Sequence, residues 1–156
     1  MKKKVLIGVL ITVIAIPIMY LISFVAIYPA INDSRAEKIE DDFLNISIPR
    51  KTNIVESYSF CGNTSGTGNH VEIWSGLLIK SELPETELLQ WVDGITISYI
   101  EDGLYLWSVP EDLGSFYPEP KDFVHFEHFN GMSEAKGYYI IWGYFYPLTQ
   151  FDIRAW

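Results

Sequence analysis

Between Val5 and Ile31 the chain carries no charged side chain, and nothing else in the sequence restricts its folding as much. At about 1.5 Å per residue, those 27 residues (31 − 5 + 1) form a helix longer than the roughly 30 Å hydrocarbon core of a bilayer. A secretory leader has an apolar stretch of only about 7–15 residues and a small-x-small cleavage site. Here Phe24 stands two positions before Ala26 and Tyr28 two before Ala30, so neither alanine makes a good site. No cysteine follows the run closely enough for lipid attachment. The sequence therefore predicts an uncleaved signal-anchor: residues 1–31 as cytoplasmic lysines plus a transmembrane helix, and residues 32–156 outside. Lys2, Lys3 and Lys4 set that orientation, because positive flanks favour the cytoplasmic side. Pro17 removes one backbone hydrogen bond near mid-span and is expected to kink the helix. Tyr28 and Pro29 mark the outer boundary. No ionisable side chain lies within the span, which argues against an ion or proton path and for a plain tether.

By length, residues 32–156 make one domain. Setting aside the three anchor lysines leaves 8 of the 11 Lys and Arg (11 − 3) against all 20 Asp and Glu, a balance of −12 (8 − 20). So acidic a domain is a poor partner for nucleic acid, and for anionic lipid or wall polymer. A basic protein, a cationic peptide or a divalent metal is electrostatically acceptable. Cys61 is the only cysteine, so an internal disulfide is impossible.

Local patterns give an α+β reading. Ser34-Arg35-Ala36-Glu37 has capping-box spacing, and Ala36, Ile39 and Phe43 follow at helical intervals, predicting a short helix to about Leu44. A second helix is expected from Pro84, with Leu88, Leu89 and Val92 as its apolar side and Asp93-Gly94 as its stop. Strands are expected at Ile54–Phe60, alternating strictly from Ile54, and at His70–Lys80, with Val71, Ile73, Leu77 and Ile79 on one face. Ile95–Glu101 and Leu104–Val109 flank Asp102-Gly103, a strong hairpin signal. Pro110–Lys121 reads as a crossing loop. Phe123–Phe129 and Tyr138–Tyr146 read as aromatic strands joined around Asn130-Gly131, with a short last strand at Thr149–Arg154. The expected architecture is a mainly antiparallel sheet with two helices on one face.

The segment Gly62-Asn63-Thr64-Ser65-Gly66-Thr67-Gly68-Asn69-His70, followed by Gly76-Leu77-Leu78-Ile79-Lys80-Ser81 and a Glu/Leu-rich helix, resembles a family of small membrane-anchored proteins of low-GC Gram-positive bacteria. The resemblance covers residues 46–92. It implies a bacterial cell-surface setting, brings no established activity, and transfers no catalytic residue.

The glycine/asparagine segment has no Gly-Lys-Ser/Thr and no helix directly behind it, so it is neither a phosphate loop nor a dinucleotide turn. It is either plain turn geometry or a binding loop, with Gly62, Asn63, Gly66, Gly68 and Asn69 as the candidate residues. Two His-x-Glu pairs, His70/Glu72 and His125/Glu127, each share a strand face. On neighbouring strands they would offer two imidazoles and two carboxylates to a metal. Their ordinary role is as polar residues on wet faces. His128 falls opposite, as a hydrogen-bonded, partly buried side chain. Cys61 with His70 is the one conceivable nucleophile pair. Trp74 shares a side with His70 and Glu72, which makes it the candidate aromatic beside polar groups. Most other aromatics are expected in the core.

These observations predict a single-pass, surface-displayed, non-catalytic binding module for an envelope protein, without a cofactor. Two other readings stay open: a metal-binding or enzymatic domain using the His-x-Glu pairs, and an immunity-type protein against a basic toxin.

Overall fold

The computed structural model describes residues 2–63, 70–110, 126–130, 132, 134–150 and 152–155. The expected crossing loop beyond Pro110, residues 123–125 of the expected aromatic strand, and Gly66, Gly68, Asn69 and His125 lie outside them. The fold is α+β, with one long apolar N-terminal helix and a four-stranded antiparallel sheet.

The helix does not stop where the apolar run stops. Lys2–Ile22 (α1), a π-helical turn at Ser23–Ile27 and Tyr28–Leu44 (α2) follow one another without a break. Pro17 stays inside α1. Pro29 lies in the first turn of α2, where its ring would clash with the carbonyl four residues back, that of Val25. The π-helical turn carries that residue, and the Tyr28 amide reaches five residues back to the Ser23 carbonyl, so the wider turn admits the proline. The expected helix start at Ser34 is therefore corrected. No breaker separates Ile31 from Ser34, and Ser34 sits in mid-helix with no capping box to close. The amphipathic stripe is as spaced: Ala36, Ile39 and Phe43 are buried, and α2 ends at Leu44.

The strands are Thr52–Gly62 (β1), Glu72–Ser81 (β2), Tyr105–Ser108 (β3) and Tyr138–Phe145 (β4), in the order β1-β2-β4-β3. Between β2 and β3 lies the helix Glu85–Asp93 (α3), which starts behind Pro84 and buries Leu88 and Val92. Leu89, expected on that apolar side, is 42% exposed.

A bulge breaks the strict alternation expected of β1. Ile54 pairs with Ile79 and Glu56 with Leu78, so Val55 is the extra residue. Ile54 thereby joins the face of Ser57, Ser59 and Cys61, and Tyr58 and Phe60 take the other.

Asp102-Gly103 does not make the expected hairpin. Ile100 bridges Phe145 and Tyr105 pairs with Trp142, so the chain on both sides of the turn runs along the same edge of β4. Gly103, at φ +107°, allows the outward excursion. Residues 95–99 are not strand, because β4 offers a partner only from Ile100 onward. Glu127–Phe129 is a 3₁₀ turn rather than strand, held by the Glu56 carboxylate, which accepts from the Glu127 and His128 amides at 2.8 and 2.9 Å. The expected last strand is likewise a 3₁₀ turn, Ile153–Ala155, because its polar groups serve side-chain contacts described below.

The sheet separates two cores. On one face Ile73, Leu77, Ile79, Ile141 and Phe145 cluster with Ile39 and Phe43 of α2 and Leu88 and Val92 of α3. On the other, Trp74, Leu78, Ile140 and Trp142 cluster with Phe126 and Tyr138. Gly76 is required in the second: a Cβ there would lie 2.7 Å from the Trp74 ring and 3.0 Å from the Ile141 carbonyl.

Candidate functional site

Among the described residues, the most connected polar group begins with Asn32, in the first turns of α2. It is fully buried, as is Asp152. The Asn32 amide nitrogen donates to the Thr149 carbonyl at 2.9 Å and to Asp152 Oδ2 at 3.0 Å. Its oxygen accepts from the Leu148 and Thr149 amides at 3.1 and 3.2 Å. One side chain thus makes four bonds to a segment more than a hundred residues away. Arg154 continues the network. Its guanidinium reaches Asp152 Oδ2 at 2.7 Å, Asp33, and the Pro29 carbonyl at 3.3 Å. Burial alone would push the Asp152 carboxyl up, but hydrogen bonds from Arg154 and Asn32 outweigh it and hold the group below the usual carboxylate range. Burial works against the Arg154 charge, and its bonds to Asp152 and Asp33 outweigh that, so it stays protonated. Sequence reading gave no hint of this lock, since Asn32 and Asp152 look like solvent-facing residues.

Beside the lock, a cleft of about 300 Å³ opens between α2 and the end of β1, lined by Asp33, Glu37, Glu40, Ser59, Cys61 and Arg154. Ser57 donates to the Glu40 carboxylate, and Ser59 and Ser75 share a hydrogen bond at 2.6 Å, so small hydroxyls carry the sheet surface beneath the helix. The Cys61 thiol is buried, and that burial pushes it up to about 12 with only Arg154 opposing. At neutral pH it is a thiol rather than a nucleophilic thiolate. His70 Nε2 lies 3.1 Å from Glu72 Oε1, so the imidazole is engaged by that carboxylate.

Gly62 closes β1 opposite Glu72, and the connection from Asn63 to Val71 is tied down at both ends. Asn63 donates to the Ala155 carbonyl at 3.3 Å, and the Val71 amide donates to the Gln150 carbonyl at 3.0 Å. Both ties run to the segment that Asn32 holds. Asn63 and Val71 therefore sit at the end of the domain nearest α1, level with the start of α2.

The two described carboxylates of the His-x-Glu pairs, Glu72 and Glu127, stand apart, and His125 lies outside the described residues. Glu127 is bonded through its amide to Glu56, which pairs with Leu78, six residues along β2 from Glu72 (78 − 72), or about 20 Å. Among the described residues no group of three or more His, Cys, Asp or Glu is placed to hold a metal. Glu101 does lie near Glu72. Its carboxyl is pushed up first by burial, then by Glu72 and Asp102, with His70 opposing. His128 is exposed and hydrogen-bonds Tyr138 Oη at 2.9 Å.

Trp74 is corrected as well. It is fully buried, 6.1 Å from Trp142 in a stacked pair and close to Tyr58 and Phe126. Alternation put it on the side of His70 and Glu72 correctly, but an aromatic layer covers that side. An exposed aromatic of that layer is Tyr105, stacked on Trp142 at 4.7 Å and 42% exposed.

A second hollow, of about 660 Å³, lies on the other side of the long helix. Its floor is Ala26, Ile27, Ala30 and Ile31, its far wall Tyr99 and Leu148, and Arg35 and Lys38 stand at its outer end. The Arg35 guanidinium lies 4.0 Å from the Tyr99 ring centre. The two sides of α2 thus differ in charge: Asp33, Glu37 and Glu40 face the first cleft, Arg35 and Lys38 the second.

No family model matches the chain, and no curated protein or solved structure matches it.

Proposed function

We propose that the chain is a single-pass membrane-anchored surface protein, with its amino terminus cytoplasmic and residues 32–156 outside, acting as a non-catalytic binding module for another protein of the envelope. The observation that carries this reading is the continuous helix. Its stretch Lys3–Leu44 is 42 residues long, and its most apolar window, with mean hydropathy 2.8, is 0% buried by the rest of the chain. An apolar surface that large needs a non-aqueous neighbour. We read α2 and α3 as the layer over one sheet face, supported by their common cluster with β2 and β4. The Gly62–Asn69 loop is the recognition element. What supports this is that the residues at its ends, Asn63 and Val71, are tied to residues 155 and 150 beside the start of α2, the side that faces the membrane in the anchor reading.

Protease added to intact, wall-stripped cells should digest the outer domain and leave a small membrane fragment. Protection of the domain, or a mature chain beginning after Ala26 or Ala30, overturns the topology. Replacing Thr64–Gly68 by an Asn-Gly turn should preserve the melting temperature and abolish cross-linking to the envelope partner. Retained cross-linking rejects the loop as the recognition element.

A further inference from the structure

The hollow beside Tyr99 is built from two unlike materials. Its floor is the last apolar turns before α2 turns amphipathic: Ala26, Ile27, Ala30 and Ile31. The alanines leave room where larger side chains would fill the space. Roughly 20 residues of helix are enough to cross a bilayer core. A span starting at Val5 therefore leaves these turns near the outer headgroups, above the hydrocarbon centre. The far wall is Tyr99 and Leu148, 45% and 64% exposed, with Tyr146 and Ile153 exposed nearby in sequence. Large apolar side chains left open at that height are unusual for a domain surrounded by water. Tyr99 also holds a left-handed backbone conformation, φ 71°, costly for a tyrosine, with its carbonyl accepting from the Tyr146 amide at 2.9 Å.

Cations close the outer end. Arg35 spreads over the Tyr99 ring, and Lys38 reaches Asp42 at 3.0 Å in a largely exposed pair that competes weakly for the ammonium. The domain as a whole is acidic, and Asp42 shares this side through its pair with Lys38, but Asp33, Glu37 and Glu40 lie toward the opposite cleft. An apolar trough ending in cations matches one molecule already abundant at that height, a phospholipid. Its acyl chain continues the hydrocarbon that surrounds α1, and its phosphate meets the guanidinium and ammonium.

We propose that this hollow seats an outer-leaflet phospholipid, with the acyl chain along Ala26, Ala30, Ile31 and Leu148 and the phosphate at Arg35 and Lys38. The domain then rests on the membrane by one side of α2, and the Asn32–Asp152–Arg154 lock keeps that side in place. The inference depends on the anchor reading above, and its test separates the two.

The full chain, carrying C61A, is placed in nanodiscs of phosphatidylglycerol and phosphatidylcholine with spin-labelled lipids. A single cysteine for a bimane probe is introduced in turn by I14C, S34C, L148C or E37C. Quenching at position 14 by deep spin labels tests the anchor alone. Given that, shallow labels should quench positions 34 and 148 at least twofold more than position 37, one turn on and facing the acidic cleft. Adding R35Q and K38Q should remove that excess, with quenching at position 14 unchanged. Quenching at 14 with equal values at 34, 148 and 37 overturns the lipid seat and leaves the anchor standing. An excess that survives R35Q/K38Q also overturns it, because the phosphate contact is then absent. No quenching at 14 removes both.

Discussion

The two halves of the long helix make the sharpest contrast in the molecule. Both have the same backbone geometry and belong to one unbroken rod, but α1 offers apolar side chains in all directions and touches almost nothing. In α2 only a stripe is apolar, and Asn32, Ala36, Ile39 and Phe43 are buried on it. A helix that is hydrophobic all round needs an apolar solvent, while one with a single stripe needs a neighbour. The change between the two kinds occurs within a continuous helix. That continuity matters mechanically, because no flexible linker separates the apolar rod from the sheet domain.

If the contrast holds, α2 should respond strongly to truncation and α1 hardly at all. Phe43 is fully buried and meets Phe145 edge-on at 5.7 Å. Phe43→Ala should cost the domain about 3–5 kcal/mol in denaturant unfolding of the full chain in detergent. Ile14→Ala should leave the unfolding midpoint unchanged. Equal losses would mean that α1 packs on the domain after all.

Asn32→Ala comes next. It strips the Leu148 and Thr149 amides and one end of the buried Asp152 of their partner, with an expected cost of about 1–3 kcal/mol. The loss should be accompanied by faster hydrogen exchange at the Leu148 and Thr149 amides. Protection that survives the substitution would mean that the C-terminal segment is held by something other than Asn32.

The lock also predicts a pH dependence. Asp152 has its carboxyl lowered on folding, so its contribution is present above the unfolded value of about 3.9 and fades as pH falls through the lower folded value. Stability should therefore drop in acid, below about pH 4, and Asp152→Asn should flatten that part of the profile. An unchanged acid limb in the variant would remove Asp152 from the account.

Within the domain, the smallest effect is expected at Ser34. A true N-cap serine costs about 1 kcal/mol when removed, but this one is exposed in mid-helix, so Ser34→Ala should stay within about 0.5 kcal/mol. A larger loss would revive a helix start at that residue, and with it a joint between rod and domain.

Some of this was legible without coordinates. The uncharged run, the helical spacing of Ala36, Ile39 and Phe43, the Pro84 start of α3 and the alternation of β2 are local signals, and local signals survive folding when nothing competes with them. The failures share a cause. Asp102-Gly103 has the chemistry of a hairpin, but β4 offered a better partner to both of its flanks. Strict alternation in β1 gave way to a bulge that no residue type announces. Trp74 was placed on the correct face by period two, while its burial depended on Trp142 and Phe126, brought there by the sheet order.

What the sequence determined by itself, then, is the apolar rod, the α+β class and the residues available to each core, because periodicity and charge act over a few residues. What only the tertiary structure decided is which polar groups meet. Asn32 and Asp152 are 120 residues apart, and nothing in either neighbourhood marks them as partners. Their pairing follows from where the sheet returns the chain to α2, and there desolvation makes each of those bonds obligatory.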